Sequence, residues 1–253
     1  MPAGARLRGA LVPLASLGLL VVLWQIAAWV ADRPQLMPGP WLVLDRLIEE
    51  TLSGDLPYHL GITLARVAAA FVVAMAIGTV LGLVMGRVPL ADRFGHPWLV
   101  FFLNIPALVT IVLAYIWIGL VEAAVVVAVA LNKIPNVIVV VREGARALDR
   151  DLQEMAQIFR IGPVRTLRHV ILPQLYPYLT AAARSGLALI WKIVLVTELL
   201  GRSSGVGFQI GLYFQLFDVT SILAYTVAFV AVIQVIEWLV MLPLERHVTR
   251  WRR

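Results

Sequence analysis

The sequence contains no cysteine. That excludes a disulfide framework, a cysteine-based zinc site and a thiol nucleophile. Charge is scarce as well: Asp, Glu, Lys and Arg make up 14% of the residues, against roughly 25% in an ordinary soluble domain. His59, His96, His169 and His247 fall in four separate segments, without the spacing of a metal site. No Gly-rich stretch ends in Lys-Ser or Lys-Thr, so nucleotide binding through a phosphate loop is excluded. The clustered His, Asp and Glu that an integral membrane enzyme needs at one membrane face are also missing. Repeats with a period of about 20–50 residues and low-complexity tracts are absent too.

What the chain has in excess is apolar surface. Hydrophobic residues make up 61% of 253, and the mean hydropathy is +0.89. The net charge of +6 would suit nucleic acid only if the cations shared a polar face. They sit at the ends of apolar runs instead, so no nucleic-acid partner is expected. Continuous apolar stretches lie at about 11–30, 63–85, 97–119, 123–141, 175–196 and 219–242, each close to the roughly 20 residues that cross a bilayer as a helix. A transmembrane β-barrel would alternate in polarity over segments of about ten residues. The reading is an all-α integral membrane protein of about six transmembrane helices. Arg6 and Arg8 give a basic start like that of a signal peptide, but the run that follows is too long for a cleaved leader.

Lys and Arg are retained on the cytoplasmic side. With the N-terminus inside, the inner segments hold fourteen of them and the outer segments three, Arg33, Arg46 and Arg202. Both termini and residues 142–173 are therefore expected in the cytoplasm. Residues 31–61, rich in Pro and Gly before Leu42-Val43-Leu44-Asp45-Arg46, read as an outer turn and a short interfacial helix. Gly78, Gly82 and Gly86 recur every fourth residue and allow close helix approach, either within one chain or between two copies. Pro106, Pro135 and Pro177 predict kinks around a cavity.

Residues 142–173 form the most polar stretch. Leu152, Met155, Ala156 and Phe159 predict one short amphipathic helix, stopped at Gly162-Pro163. Val164, Leu167 and Ile171 predict a second, ending at Leu172-Pro173. Such a hairpin either tucks under its own bundle or docks on a partner. Glu154-Met155-Ala156, followed at a fixed distance by Val170-Ile171-Leu172-Pro173, resembles the Glu-Ala-Ala loop of binding-protein-dependent ABC importer permeases. The family's loop glycine normally lies six residues after the glutamate; Arg160 stands there, and Gly162 lies two further on. His59 to Arg66, Asn104-Ile105-Pro106-Ala107, Trp117 to Glu122 and Gly205-Val206-Gly207 look most like the sulfonate, taurine and nitrate branch, as do Arg184, Trp191 and Glu198 at seven-residue spacing.

The resemblance covers most of the chain and implies a single transmembrane permease domain over 1–253, multi-pass in a bacterial inner membrane. It further implies a homodimer of permeases, an extracytoplasmic solute-binding protein and a cytoplasmic ABC ATPase dimer that carries ATP and Mg, with no cofactor, metal or catalytic residue on this chain. Glu154, Met155, Ala156, Phe159, Gly162, Leu172 and Pro173 would make up the ATPase-coupling loop. Lys133, Arg184, Trp191, Lys192 and Glu198 are the candidates for the solute path. Lys133 and Arg184 reach mid-membrane depth at about 1.5 Å per residue, with no span carboxylate expected at that level. They would favour a small anion, or else snorkel and bond to freed carbonyls. A secondary transporter or channel is the alternative reading, and it calls for a mid-membrane acid or an inverted repeat; neither is visible. The topology is checked with single cysteines at Ser53 and Arg165 in this cysteine-free chain. In intact cells a membrane-impermeant thiol reagent should label position 53 and spare 165, and the reverse pattern would invert the topology.

Overall fold

The computed structural model describes residues 3–241 and Pro243, with side chains from 15 to 239 and at 243. Among them the secondary structure is helical, with no strand: α1 Ala3–Ala31, α2 Pro40–Ser53, α3 Asp55–Arg87, α4 Pro89–Leu103, α5 Ala107–Ile118, α6 Glu122–Arg146, α7 Arg150–Ile158, α8 Pro163–Thr166, α9 Leu172–Gly201, α10 Val206–Gln215 and α11 Val219–Ile236. Local chemistry sets many of the starts. Pro40, Pro89 and Pro163 open α2, α4 and α8, where the missing N–H of proline leaves no bond unmade. Asp149 caps α7 by accepting from the Asp151 and Leu152 amides at 2.8 and 3.4 Å. Asp218 caps α11 through the Ser221 amide at 3.0 Å.

Four uninterrupted helical stretches are long and apolar enough to cross a membrane: 55–87, 122–146, 163–201 and 219–239. The run expected as one span at 97–119 is instead α4 and α5, bent by 95° at a short break. The reason lies in Asn104-Ile105-Pro106. Proline lacks an N–H and drives the residue before it out of the helical region, and Pro106 itself is extended with φ −60° and ψ 136°. In α1 the apolar part among residues with described side chains is Ala15–Ala31, shorter than the others. The chain ends on which the inside assignment of both termini partly rests, including Arg246, Arg250, Arg252 and Arg253, lie outside the described residues.

The second short helix expected within 142–173 does not stop at Leu172-Pro173. A π-turn over Leu167–Ile171 joins α8 to α9, giving one helix from 163 to 201. The Leu172 amide reaches back to the Leu167 carbonyl, and this wider turn takes Pro173 in without a break. Gln174 then donates from its side chain to the Val170 carbonyl at 2.8 Å.

The glycine stripe of α3 packs within the chain, against α6. A β-carbon at Gly78, Gly82 or Gly86 would come within 2.6, 2.8 and 2.5 Å of the β-carbons of Val137, Val141 and Ala145. The two backbones touch along this seam. Around it, Val67, Val129, Ile190, Val194 and Tyr225 join α3, α6, α9 and α11 in one core. At the end of α6 near the hairpin, Asp92 of α4 pairs with Arg142 at 3.3 Å and Arg146 at 2.6 Å. Gly82→Ala should lower stability by about 1–3 kcal/mol through overpacking, read as a lower unfolding temperature in detergent. Gly61→Ala, with nothing within 4 Å of the added methyl, should stay within about 0.5 kcal/mol. Equal effects at the two positions would contradict the seam.

Candidate functional site

His59, Thr63 and Arg66 stand four and three residues apart and so share one face of α3. That face meets the end of α9, the start of α10 and the start of α6. Arg66 is buried, and its guanidinium holds two carboxylates. It donates to Glu122 through Nε and Nη2 at 2.7 Å each and to Glu198 through Nη1 at 2.8 Å. It also reaches the Ser204 carbonyl at 2.6 Å and the Ser204 hydroxyl at 3.0 Å. Glu198 is wholly buried and accepts further bonds from Thr63 Oγ1 and the Gly207 amide, both at 2.9 Å. Thr63 Oγ1 in turn accepts from the Val206 amide at 2.9 Å. His59 Nδ1 accepts from the Gly205 amide at 2.9 Å, and its Nε2 meets the Gln209 side-chain amide at 2.7 Å. Arg202 closes the rim on Glu122 and the Leu120 carbonyl.

Two glycines make this approach possible. Gly205 has φ +107°, and a β-carbon there would lie 2.3 Å from the Glu198 carboxyl carbon; at Gly207 it would lie 2.2 Å from the Leu195 carbonyl oxygen. The amides opening α10 can therefore aim at Glu198 and Thr63. Three segments far apart in sequence, 59–66, 117–122 and 205–207, end in one network. Ser204 and Gln209 complete it although nothing in the sequence singles them out. The four- and three-residue spacing of 59, 63 and 66 is the part of it that the sequence carries.

The residues expected along the solute path do not converge. Glu198 is taken up by the network. Trp191 is buried and stacks edge-on against Phe229, with centroids 5.7 Å apart. Lys192 is exposed on α9. Arg184 is half-exposed and pairs with Glu237 at 2.9 Å, which overturns the expectation of two cations with no carboxylate at their level. Glu237 follows α11 in a π-turn, Glu237–Met241, and that turn presents it to α9. Of these charged residues Lys133 is the one that is buried with no ion pair among the described residues: it is 2% exposed and lies against Gly186.

At the opposite end, the α7–α8 hairpin turns at Arg160, not at Gly162. Arg160 is left-handed, with φ +49°. The Ile161 amide bonds to the Ala156 carbonyl at 2.8 Å and the Arg160 amide to the Gln157 carbonyl at 2.9 Å, the pair of bonds that ends a helix in a Schellman turn. Gly162 has φ −59° and ψ 153° and caps α8. The left-handed position thus stays six residues after Glu154, occupied by arginine. Ala156 and Val170 are buried beneath the hairpin, while Ile158, Phe159 and Val164 are 77%, 73% and 75% exposed. Glu154, Met155 and Pro173 are exposed as well.

Residues 74–248 match the family described as binding-protein-dependent transport system inner membrane component. The chain belongs to this family. It is a transport permease of the bacterial inner membrane, the membrane subunit of an ABC importer and not a catalytic one. Among curated relatives, the putative aliphatic sulfonates transport permease protein SsuC of Bacillus subtilis is 27% identical over 97% of this permease and 88% of its own length. The riboflavin transport system permease protein RibX of Chloroflexus aurantiacus is 30% identical over 93% and 88%. The fold is that of a permease chain in inward-facing MetNI methionine ABC transporter structures, with a TM-score of 0.64 at 20% identity over 74% of this chain and 93% of that one.

Removing one partner of a buried ion pair typically costs about 3–5 kcal/mol, because the other charge stays buried. Arg66→Met should therefore destabilise the permease more than the double change Arg66→Met with Glu198→Gln. Unfolding temperatures of the single and double variants test this, and simple additivity would contradict it.

Proposed function

We propose that two copies of this permease enclose the solute path of an ATP-driven importer, with the α7–α8 hairpin docked on a cytoplasmic ATPase dimer. ATP and Mg belong to that partner, and a solute-binding protein delivers the solute at the end that carries the Arg66–Glu198 network. The observation that carries the reading is the hairpin itself. It offers Ile158, Phe159 and Val164 to solvent on a short, hydrogen-bonded turn at the basic end of the bundle. Exposed apolar side chains beside a charged rim are the usual mark of an interaction site. Met155 and Phe159 enter an apolar groove of the ATPase, and Glu154 meets a basic or amide group beside it. Ala156 and Gly162 shape the hairpin, and Leu172 and Pro173 join it rigidly to α9. Closure of the ATPases on ATP thereby moves α9 and opens the path alternately to the two sides.

The positive-inside distribution supports cytoplasmic termini and a cytoplasmic hairpin. For the solute, the sulfonate and riboflavin relatives are about equally similar, and identity alone does not choose between them. The buried Lys133 favours a small anion, such as a sulfonate, a taurine-like compound or nitrate. Phe159→Asp is expected to abolish co-purification with the ATPase. Glu154→Lys is expected to cut uptake by about tenfold or more while ATP hydrolysis continues, a loss of about 1.4 kcal/mol or more in coupling. Assembly and uptake both unchanged in the two variants would remove the hairpin from the mechanism.

A further inference from the structure

One buried cation has no counter-charge among the described residues. Lys133 lies on α6 one turn beyond Val137, Val141 and Ala145, on the same face that packs against the α3 glycines. Its side chain is 2% exposed and makes no hydrogen bond or ion pair among the described residues. The stem runs against α9 at Gly186, where a β-carbon would stand 2.6 Å from Lys133 Cε and 3.3 Å from Nζ. Gly186 is therefore the residue whose missing side chain makes room for this lysine.

The polar residues next to Lys133 and Gly186 in sequence are either neutral or already engaged. Asn132 donates to Thr110 Oγ1 and to the Ala128 carbonyl, and Asn136 donates to the Asn132 carbonyl. Arg184, two residues before Gly186, is held by Glu237. An ammonium inside an apolar bundle is retained only where something pairs with it. Among the described residues no acid pairs with Lys133, and the work of the protein is to pass a solute.

We propose that Lys133 is the specificity-determining residue for an oxyanionic solute of the sulfonate or nitrate type, which supplies the missing counter-charge in transit, with Gly186 leaving room for the lysine side chain. This rests on the importer reading above. An ammonium donates up to three bonds and accepts none, so it discriminates for a tetrahedral or planar oxyanion and against a neutral ring system of similar or larger size.

The chain has two lysines, Lys133 and Lys192, and this permits a direct test. In a Lys192→Arg background, the assembled transporter in lipid nanodiscs is treated with an amine-reactive reagent and Lys133 labelling is followed by mass spectrometry. Ethanesulfonate, nitrate and riboflavin are the probes. Ethanesulfonate or nitrate should slow labelling by about tenfold at about ten times its dissociation constant, and riboflavin should leave the rate unchanged. A lysine that never labels, a rate indifferent to both anions, or equal slowing by riboflavin would overturn the proposal. In uptake assays Lys133→Met should lose anion transport and Lys133→Arg retain it, with ATPase assembly intact in both; unchanged anion uptake in Lys133→Met would also overturn it. Failure of the unsubstituted chain to assemble with an ATPase would sink the importer reading instead, while the labelling result would still stand by itself.

Discussion

The close approach of α3 to α6 is the contact on which the other features depend. In a bilayer the hydrophobic effect does not press apolar helices together, because lipid tails are as apolar as leucine, and association relies on packing and hydrogen bonds. Gly78, Gly82 and Gly86 bring the α3 backbone to within van der Waals reach of the α6 carbonyls and of Val137, Val141 and Ala145. With that seam closed, the rest of α3 has no rotational freedom. Its far end must present His59, Thr63 and Arg66 to α9 and α10, and α6 must carry Lys133 toward Gly186.

The two ends of the bundle solve different problems. At one end, Arg66, Glu122, Glu198 and the backbone amides opening α10 bond to one another across four helices. At the other end, the hairpin buries only Ala156 and Val170 and leaves Ile158, Phe159 and Val164 uncovered. The continuous helix from 163 to 201 joins them, and from Pro163 to Glu198 it runs about 35 residues, or roughly 53 Å at 1.5 Å per residue.

Hydropathy alone was enough to recognise the membrane class and most of the apolar runs, because the need to satisfy backbone groups in lipid leaves few alternatives. It could not show the 95° bend before Pro106, since an apolar residue scores alike in a straight or a broken helix. The glycine stripe was visible, but its partner was not: a spacing of four gives a face and says nothing about what lies opposite. By depth along its span Glu237 belongs near an end and not beside Arg184, and it meets Arg184 on a segment whose π-turn no simple periodicity encodes. Trp191 and Glu198 share a face with Arg184 on a helical wheel, yet neighbouring helices cover one part of that face and leave another open. In the Arg66 network, fragments that were individually weak met in one place, which spacing along the chain does not reveal.

Arg160 shows that what the hairpin preserves is a dihedral angle and not a letter. A left-handed arginine is disfavoured by about 1–2 kcal/mol relative to the right-handed region, and two Schellman bonds hold it there. The undocked turn is therefore a spring under slight load, and it also sets a long cation at the tip of the loop where the family's glycine has no side chain at all. In the docking proposed above, the ATPase surface has to leave room for that arm.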